Sequence, residues 1–343
     1  MAVINNRPKP VTIHEVAAQA GVSIATVSRA LSGSTTVASP TRERVLAAVE
    51  QLRFRPSRLG QSLAEGRHAA NGIVFPDLSG PYYAEVVLGY EEVAAELGSS
   101  VLILATHGRP EPTRRVLELA RRVDGMVLMG RTVPDEVVSQ LTETGIPVVL
   151  LARPAVGESD TVNVDNEHGT RALVKHLARH GYQRFAFVGD PAESPDVAGR
   201  YAAFRASLLE AGRRPPREPL RCAFDVSSGR RAALRALRRA LRPEVLVCGN
   251  DETALGALEA AAELGLSVPG DVAVTGWDDV MAARYAGLTT VRQPMRQLGA
   301  TAARWLQERI AGHGEPVRRR VLQTQLVVRS SCGTHDHESE EPR

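Results

Sequence analysis

Residues 12–31 read TIHEVAAQAGVSIATVSRAL and decide the fold of the N-terminal part of the chain. Thr12 and Glu15 fit a capping box, in which a hydroxyl begins a helix and a carboxylate follows three residues later. Apolar residues continue at helical spacing up to Gly21, which supplies the left-handed backbone that ends a short helix. Ser23 is a natural N-cap for a second helix with one apolar face. Two short helices across a tight glycine turn predict a helix-turn-helix.

A third helix is predicted from Ser39 and Pro40, a hydroxyl cap followed by proline at the first helical position. Its predicted apolar face comprises Val45, Leu46, Val49 and Leu52. Three helices would close a small core and leave the first residues of the second helix at the surface. In a helix-turn-helix, those residues meet base edges in the major groove while the first helix crosses the backbone.

The charge is unevenly distributed along the chain. The whole sequence has 42 Lys and Arg residues and 39 Asp and Glu residues. The resulting net charge of +3 does not by itself indicate a binding partner. Residues 1–70 hold nine basic and four acidic groups, a net of +5, whereas the rest holds 33 and 35, a net of −2. A basic head on a near-neutral body indicates binding to nucleic acid or to a membrane surface.

The 343 residues, 43% of them hydrophobic, predict two or three globular domains. Three distant cysteines (Cys222, Cys248 and Cys332) give neither a disulfide framework nor a paired zinc spacing. The N-terminus has no apolar run of signal-peptide length, and no stretch reaches about 18 apolar residues. We therefore expect a cytoplasmic protein that does not bind to a membrane and carries neither a cofactor nor a metal.

Beyond Gly66, short aliphatic runs alternate with amphipathic helical stretches. The runs are GIVFPD, SVLILAT, GMVLMG, PVVLLA, RFAFVGD, EVLVCGN and DVAVTGWDD. Continuous apolar strands separated by helices predict parallel sheets that are covered on both faces. About 260 residues of this pattern predict two α/β lobes with a ligand cleft at the carboxyl ends of the strands.

The strings VTIHEVAAQAGVSIATVSRALSG and TRERVLAAVEQLRFRPSRLGQSLA resemble the DNA-binding head and hinge of the lactose and galactose repressor (LacI/GalR) family of bacterial transcription regulators. By this resemblance, Ile24 and Ala25 contact thymine methyl groups, and Arg29 reads a guanine edge. The resemblance also implies that Leu63 wedges into the minor groove and kinks the duplex. Phosphate contacts are implied for Thr12, Ser23, Thr26, Ser28 and Ser57.

The body resembles the effector-binding and dimerisation core of the same family, which is similar to periplasmic sugar-binding proteins. Strings such as FPDLSGPYYAEVVLGYEEVA, VCGNDETALGALEAAAELGLSVPGDVAVTGWDD and LTTVRQPMRQLGATAARWL carry this resemblance. It implies two lobes between which the chain crosses three times. The predicted fold is therefore α/β, a three-helix head followed by a two-lobed, periplasmic-binding-protein-like core. The expected boundaries are head 1–56, hinge 57–68, core 69–330 and disordered polar tail 331–343.

Polar residues at or beyond the predicted strand ends are candidates for effector binding. A guanidinium that donates and carboxylates or amides that accept suit vicinal hydroxyls, and aromatic rings can stack on a sugar. The family resemblance carries effector contacts to Arg200, Asn250 and Asp278. The full candidate set is Asp77, Tyr82, Tyr83, Asp165, Arg200, Phe224, Asn250, Trp277, Asp278 and Gln293.

His176 and His180 are four residues apart on a predicted helix and could bind a metal. A solvated helix face is the favoured interpretation of this pair, so no metal site is predicted.

We expect a dimeric transcription regulator, a repressor that binds a palindromic operator in double-stranded DNA and responds to a small-molecule effector, a sugar. No leucine heptad closes the sequence, which favours a homodimer over a tetramer. Whether the effector induces or co-represses stays open. One alternative is a sugar-binding module without DNA function. Another is an α/β enzyme, although G-x-x-x-x-G-K, G-x-S-x-G and G-x-G-x-x-G are all missing.

Overall fold

The computed structural model describes residues 11–31, 36–54, 68–312 and 316–333. The chain divides into two compact units, Met1–Ala69 and Ala70–Arg343. Most of the predicted hinge, with Ser57 and Leu63, lies outside the described residues, so the roles predicted there stay predictions.

The first unit contains the three predicted helices, α1 (Ile13–Ala20), α2 (Ile24–Leu31) and α3 (Ser39–Gln51). Each helix contributes one fully buried valine to a common core. These residues are Val16, Val27 and Val45. The helix-turn-helix predicted from the apolar spacing is thereby confirmed.

The predicted caps of the first two helices form. The carboxylate of Glu15 accepts hydrogen bonds from the backbone N–H of Thr12 at 2.6 Å and from its hydroxyl at 3.0 Å. Gly21 has φ +65°, and Ser23 accepts the backbone N–H of Thr26 at 3.2 Å. A residue with a Cβ at Gly21 would be strained, so the turn between the helices requires glycine.

Two details of the prediction for the third helix were wrong. The helix is capped by Ala38, and Ser39 is its first residue. Leu46 is exposed, and Ala48 takes its place in the core. The second difference follows from helical spacing, because Val45, Ala48, Val49 and Leu52 lie three or four residues apart on one face and Leu46 does not.

The second unit begins with a six-stranded parallel sheet of order β10-β5-β4-β3-β1-β2. The sequences of its central strands are continuous apolar runs, as expected for a sheet that is buried on both faces. The strands are β1 (Ala70–Phe75), β2 (Ser100–Ala105), β3 (Gly125–Met129), β4 (Val148–Leu151), β5 (Asp160–Val164) and β10 (Arg319–Leu322). The helices between them are α4 (Pro81–Glu96), α5 (Pro112–Ala120) and α6 (Asp135–Glu143).

A three-stranded parallel sheet of order β6-β7-β8 forms the second lobe. Its strands are β6 (Phe185–Val188), β7 (Val245–Cys248) and β8 (Ala273–Thr275). The helices are α7 (Asn166–Arg179), α8 (Pro195–Glu210), α9 (Val226–Leu237), α10 (Asp251–Glu263) and α11 (Met281–Tyr285). An antiparallel pair, β9 (Thr290–Arg292) and β11 (Gln325–Val327), packs with α7 on this lobe.

The chain crosses between the lobes three times. It leaves the first sheet after β5, returns between β9 and α12 (Met295–Ile310), and leaves again between β10 and β11. Because α12 packs on β3, β4 and β5, each lobe is discontinuous in sequence. The expectation drawn from the family resemblance is confirmed.

In the described part of each lobe, a pair of helices makes close contact through glycines. A Cβ added to Gly299 of α12 would lie 2.0 Å from the carbonyl oxygen of Val86 in α4. In the second lobe, a Cβ at Gly256 of α10 would lie 2.0 Å from the carbonyl oxygen of Val226 in α9. These backbones approach so closely that no larger residue fits.

The core extends past residue 330, where the polar tail was expected to begin. Ser331 and Cys332 are buried in a 3-10 helix, Ser330–Cys332. The Ser331 hydroxyl donates to the carbonyl of Val274 at 2.6 Å and accepts the backbone N–H of Thr289 at 2.8 Å. A polar residue is buried here because both hydrogen-bonding functions are satisfied. Residues 334–343 lie outside the described part of the chain.

Within the described ranges, no helix combines the length and the apolar character needed to cross a membrane.

Candidate functional site

A cavity of about 690 Å³ lies between the two lobes of the second unit. Its walls are the segments that follow β1, β2, β3 and β4 on one side and β6, β7 and β8 on the other. The carboxyl ends of both parallel sheets therefore face one space. This is where open α/β sheets bind ligands, because helix N-termini and loop polar groups converge there.

Eight of the ten residues that the sequence pointed to line this cavity. They are Asp77, Tyr82, Tyr83, Arg200, Phe224, Asn250, Asp278 and Gln293. Asp165 and Trp277 do not. The carboxylate of Asp165 caps α7 by accepting the backbone N–H of His168 at 2.8 Å, and Trp277 is buried in the core of the second lobe.

Arg200 projects from α8 and is buried against the cavity. Its Nε donates to the side-chain oxygen of Asn166 at 2.9 Å, and Nη1 donates to the carbonyl of Gly249 at 2.8 Å. The guanidinium lies over the indole of Trp277, 4.3 Å from the ring centroid. These contacts fix a cation at the cavity wall, since a planar guanidinium held on several sides loses little further freedom on binding a ligand.

Asp278 follows β8 and is buried with a backbone φ of +118°, which is uncommon for a residue with a side chain. The amide nitrogen of Gln293 donates to its carboxylate. Burial raises the pKa of Asp278 well above its ordinary value, although the positive charge of Arg200 acts in the opposite direction. In the described residues, the side-chain oxygen of Gln293 is buried without a hydrogen-bond partner. A ligand hydroxyl would supply that missing donor.

Asn250 caps α10, accepting the backbone N–H of Thr253 at 3.0 Å. Its amide nitrogen donates to the carbonyl of Phe224 at 3.1 Å and to the carboxylate of Glu252 at 2.8 Å. Burial raises the pKa of Glu252. Asn250 thereby positions an aromatic ring and a carboxylate in the wall. Glu252 also reaches the first lobe, because a Cβ added to Gly80 would lie 2.5 Å from its Oε1.

The first lobe contributes aromatic surface. Tyr82 and Tyr83 occupy the first turn of α4, with ring centroids 5.2 Å apart, and Tyr83 packs edge-on against Phe75. Burial raises the pKa of both phenols, so they stay neutral hydrogen-bonding groups. Asp77 accepts the backbone N–H groups of Leu78 and Ser79 and thus orders its own loop.

The sequence did not reveal most of the charged residues that line the cavity. Among the residues that the structure describes, seven carboxylates line the cavity, together with three arginines, Arg131, Arg200 and Arg221. The missed carboxylates are Asp190, Glu193, Asp196, Asp225 and Glu252. Asp190 directly follows the run RFAFVG, so the strand-end criterion could have found it. Arg221 and Asp225 belong to a segment with no strand pattern and carried no such signal.

In the first unit, the outer face of α2 presents the residues expected to read DNA. Ile24, Ala25, Ser28 and Arg29 are exposed, although Val27 and Ala30 of the same helix are buried. Thr26 is half-buried, and its hydroxyl lies 2.9 Å from that of Ser23. Thr12, at the start of α1, is exposed as well. An exposed isoleucine beside an exposed arginine at the start of a helix offers both an apolar and a donor contact to base edges.

Comparison with known proteins identifies the family. The profile of bacterial regulatory proteins of the lacI family matches residues 12–57, and that of periplasmic binding protein-like domains matches 174–332. Catabolite control protein A of Priestia megaterium is 32% identical over 304 residues, covering 86% of this chain and 91% of that protein. The chain belongs to the lacI family of bacterial regulatory proteins. It is a DNA-binding transcriptional repressor of that family and not an enzyme.

Other regulators are similar to this chain over 93% to 95% of its length. The HTH-type transcriptional repressor PurR of Erwinia tasmaniensis is 33% identical and covers 93% of this chain and 96% of its own length. The lac repressor dimer bound to operator and the anti-inducer ONPF superposes with a TM-score of 0.83 at 29% identity, over 95% of this chain and all of that one. The regulator CelR in complex with cellobiose gives 0.70 at 31% identity, with 95% and 100% coverage.

Proposed function

We propose that this lacI-family repressor binds a palindromic operator as a homodimer and that a small polyhydroxylated effector, a sugar, controls its operator affinity. The effector occupies the cavity between the lobes. The observation that carries this proposal is the cavity wall itself, where Arg200, Asp278 and Gln293 converge with aromatic rings at the carboxyl ends of both sheets. A protein that binds DNA in a bacterium acts in the cytoplasm, which is where we propose that this one works.

Two properties of the cavity favour a hydroxylated ligand. Its carboxylates can only accept hydrogen bonds while ionised, and hydroxyl groups are donors that carry no charge of their own. The excess of carboxylates over arginines disfavours an anionic effector, because like charges in a partly desolvated site repel. Phe224 and Tyr82 supply flat apolar surfaces for the C–H face of a ring. The cellobiose bound by the CelR relative is a ligand of this class.

On the DNA side, Ile24 and Ala25 are proposed to contact thymine methyl groups and Arg29 a guanine edge. Ser28 and Thr12 are exposed and are proposed to contact phosphates, although the Thr12 hydroxyl must then give up its hydrogen bond to Glu15. The hydroxyls of Ser23 and Thr26 already form a hydrogen bond with each other. Because each hydroxyl has a single proton, the one that accepts in this bond can still donate to a phosphate, and the other would have to give up the bond to do so. Ser57 and Leu63 complete the proposed set of DNA contacts.

Fluorescence anisotropy on the DNA upstream of the protein's own gene tests the operator proposal. Arg29→Ala is expected to weaken operator binding about 5- to 150-fold and to relax base preference at one position per half-site. Arg121→Ala, which removes an exposed arginine from the second unit, is the control of equal charge change. The affinity of the unchanged protein should fall steeply with salt. Equal losses for both variants would rule out direct reading by α2, and a salt-independent affinity would rule out direct phosphate contact.

A panel of neutral mono- and disaccharides, with purine bases for comparison, tests the effector proposal. One sugar is expected to change the operator dissociation constant at least tenfold, and the sign of that change decides between induction and co-repression. The same sugar should bind when operator is absent. A purine that shifts operator affinity while every sugar stays inert would refute the sugar assignment and leave the operator proposal standing.

A further inference from the structure

Three potential metal ligands meet in the second lobe, away from the cavity. His176 and His180 lie one turn apart at the C-terminal end of α7, and Cys332 lies in the last 3-10 helix, 156 residues beyond His176. The Nε2 atoms of the two histidines are 3.3 Å apart, and the sulfur of Cys332 is 3.4 Å from Nε2 of His176. All three ligand atoms lie within 4.8 Å of one another.

Two of these three spacings match the edges of a small tetrahedron. Two imidazole nitrogens, each about 2.05 Å from a zinc ion at a tetrahedral angle, lie about 3.3 Å apart. A nitrogen and a thiolate sulfur, at about 2.05 and 2.3 Å from the ion, lie about 3.6 Å apart. The observed 3.3 and 3.4 Å match two of these edges. The third edge, between the imidazole of His180 and the sulfur of Cys332, is bounded only by 4.8 Å, so binding an ion would bring these two groups together to about 3.6 Å.

The surroundings hold the ligands in place. The Cys332 side chain is fully buried, and its sulfur lies 3.0 Å from the hydroxyl of Thr289. The phenol of Tyr182 donates to the carbonyl of Cys332 at 3.2 Å. A hydroxyl and a backbone anchor of this kind orient a ligand in the way outer-shell groups orient metal sites.

The two histidines are half-buried, not on the solvated helix face that the sequence favoured. The cluster is therefore closed by the lobe on the Cys332 side and accessible on the histidine side. An ion held by three protein ligands would keep a fourth position for water.

We propose that Nε2 of His176, Nε2 of His180 and the sulfur of Cys332 bind a divalent metal ion of borderline softness, with Zn²⁺ the best match. Neutral imidazole and thiolate are the ligands that zinc takes, whereas calcium and magnesium select oxygen. On binding, the thiol of Cys332 releases its proton to solvent and coordinates as thiolate. The ion would join the end of α7 to the C-terminal segment of the core.

The position of the cluster makes it independent of the effector site. The histidines precede β6, at the end of that strand opposite to Asp190, which lines the cavity. An ion there would act on the attachment of the C-terminal segment and not by contact with the effector.

Binding is measured on the full-length chain without an affinity tag, by competition between the protein and a chromophoric chelator for Zn²⁺. One Zn²⁺ per chain is expected. His176→Ala, His180→Ala and Cys332→Ser should each lower the affinity more than about 100-fold, beyond the 10- to 100-fold effect of removing an outer-shell group. His168→Ala, on the same helix but in its exposed first turn, and Cys222→Ser are the matched controls and should bind as the parent does.

Co²⁺ gives a second readout that does not depend on affinity. The parent protein should show the visible absorption of a tetrahedral Co²⁺ site with a thiolate-to-metal band in the near ultraviolet, and Cys332→Ser should lose that band. Because Cys332 is buried, its variant must first show a cooperative thermal transition. If it does not, the His176→Gln/His180→Gln pair, at half-buried positions, tests the site instead.

The sequence also has His335 and His337 a few residues beyond Cys332, so the full chain with both changed to alanine is the decisive comparison. Retention of one Zn²⁺ by that variant supports the proposed site. Loss of the ion there, or full retention in His176→Ala and His180→Ala, would overturn the proposal.

Discussion

The guanidinium of Arg200 rests on the indole of Trp277, with the guanidinium carbon 4.3 Å from the ring centroid. Trp277 is buried and does not line the cavity, whereas Arg200 does. The tryptophan therefore acts on the proposed effector only through the arginine, by adding a cation–π contact that keeps the cation in one position.

We predict that Trp277→Leu lowers effector affinity about twofold to thirtyfold, the range of one cation–π contact. The chain has two tryptophans, and the other supplies the control: Arg318 stacks on Trp305 at 4.5 Å in the first lobe. Trp305→Leu should leave effector affinity unchanged in calorimetric titration. A similar loss in both variants would mean that general destabilisation, not the support of Arg200, is responsible.

Asp278→Asn is expected to weaken effector binding about ten- to hundredfold, because the amide replaces one acceptor oxygen of the carboxyl by a donor and leaves a ligand hydroxyl without its partner. Stability should not fall, since burial already raises the pKa of this carboxyl and disfavours its charge. Thermal unfolding and titration together measure both effects. Glu193→Gln, at an exposed position of the same wall, is the control and should change affinity less than threefold.

The exposed and buried faces of α2 should separate DNA binding from stability. Ile24 is 40% exposed and Val27 is 0% exposed on the same helix. Ile24→Ala is expected to weaken operator binding with no measurable change in head stability. Val27→Ala should destabilise the head by about 2 kcal/mol through lost burial and a cavity. Denaturant unfolding measures the stability of both variants, and fluorescence anisotropy measures their operator affinity. A loss of stability in Ile24→Ala would contradict the placement of Ile24 on the exposed, DNA-binding face of α2.

Gly299→Ala is expected to destabilise the core by about 1–3 kcal/mol, because its new methyl group would lie 2.0 Å from the carbonyl oxygen of Val86 and the helices must separate. Gly199→Ala is the matched control within another helix. There the nearest atom would be 3.7 Å away, an ordinary contact, so the gain in helix propensity should leave stability equal or higher. Thermal midpoints of the two variants should thus move in opposite directions or differ by several degrees.

The free energy of unfolding of the core should depend on pH in part through the carboxyl group of Asp251. Burial raises its pKa from 3.8 to about 7, against the hydrogen bonds from Thr290 and Val280. The folded state therefore holds this proton more tightly than the unfolded state. Its contribution is complete below 3.8 and is lost as pH rises toward about 7.

The difference in unfolding free energy between the parent and Asp251→Asn should accordingly fall from about pH 4 to pH 7 and then level off. Asp271→Asn is the control, because hydrogen bonds from Ser267 lower the pKa of that exposed carboxyl and its effect belongs below 3.8. A difference that rises with pH in the Asp251 comparison would contradict the predicted sign.

Local rules were sufficient for much of this molecule. The Thr12 to Glu15 spacing, Gly21 and Ser23 predicted the first two helices correctly, since caps and a left-handed turn involve residues only a few positions apart. The strand-end criterion placed Asn250 and Asp278 in the cavity wall, because parallel strands bring their carboxyl ends to one edge. Arg200, which was expected just beyond a strand, lies within α8 and reaches the wall from there. It failed for Trp277, whose position at a strand end did not reveal that its ring points into the core.

By itself, the sequence determined the order of helices and strands, the basic head, the two α/β lobes and the family. Periodicity, capping and charge counting are properties of neighbouring residues and need no coordinates. Only the tertiary structure decided which side chains meet across the chain. Arg200 on Trp277, and Cys332 beside His176 at a separation of 156 residues, follow from how distant segments pack, which no local pattern encodes.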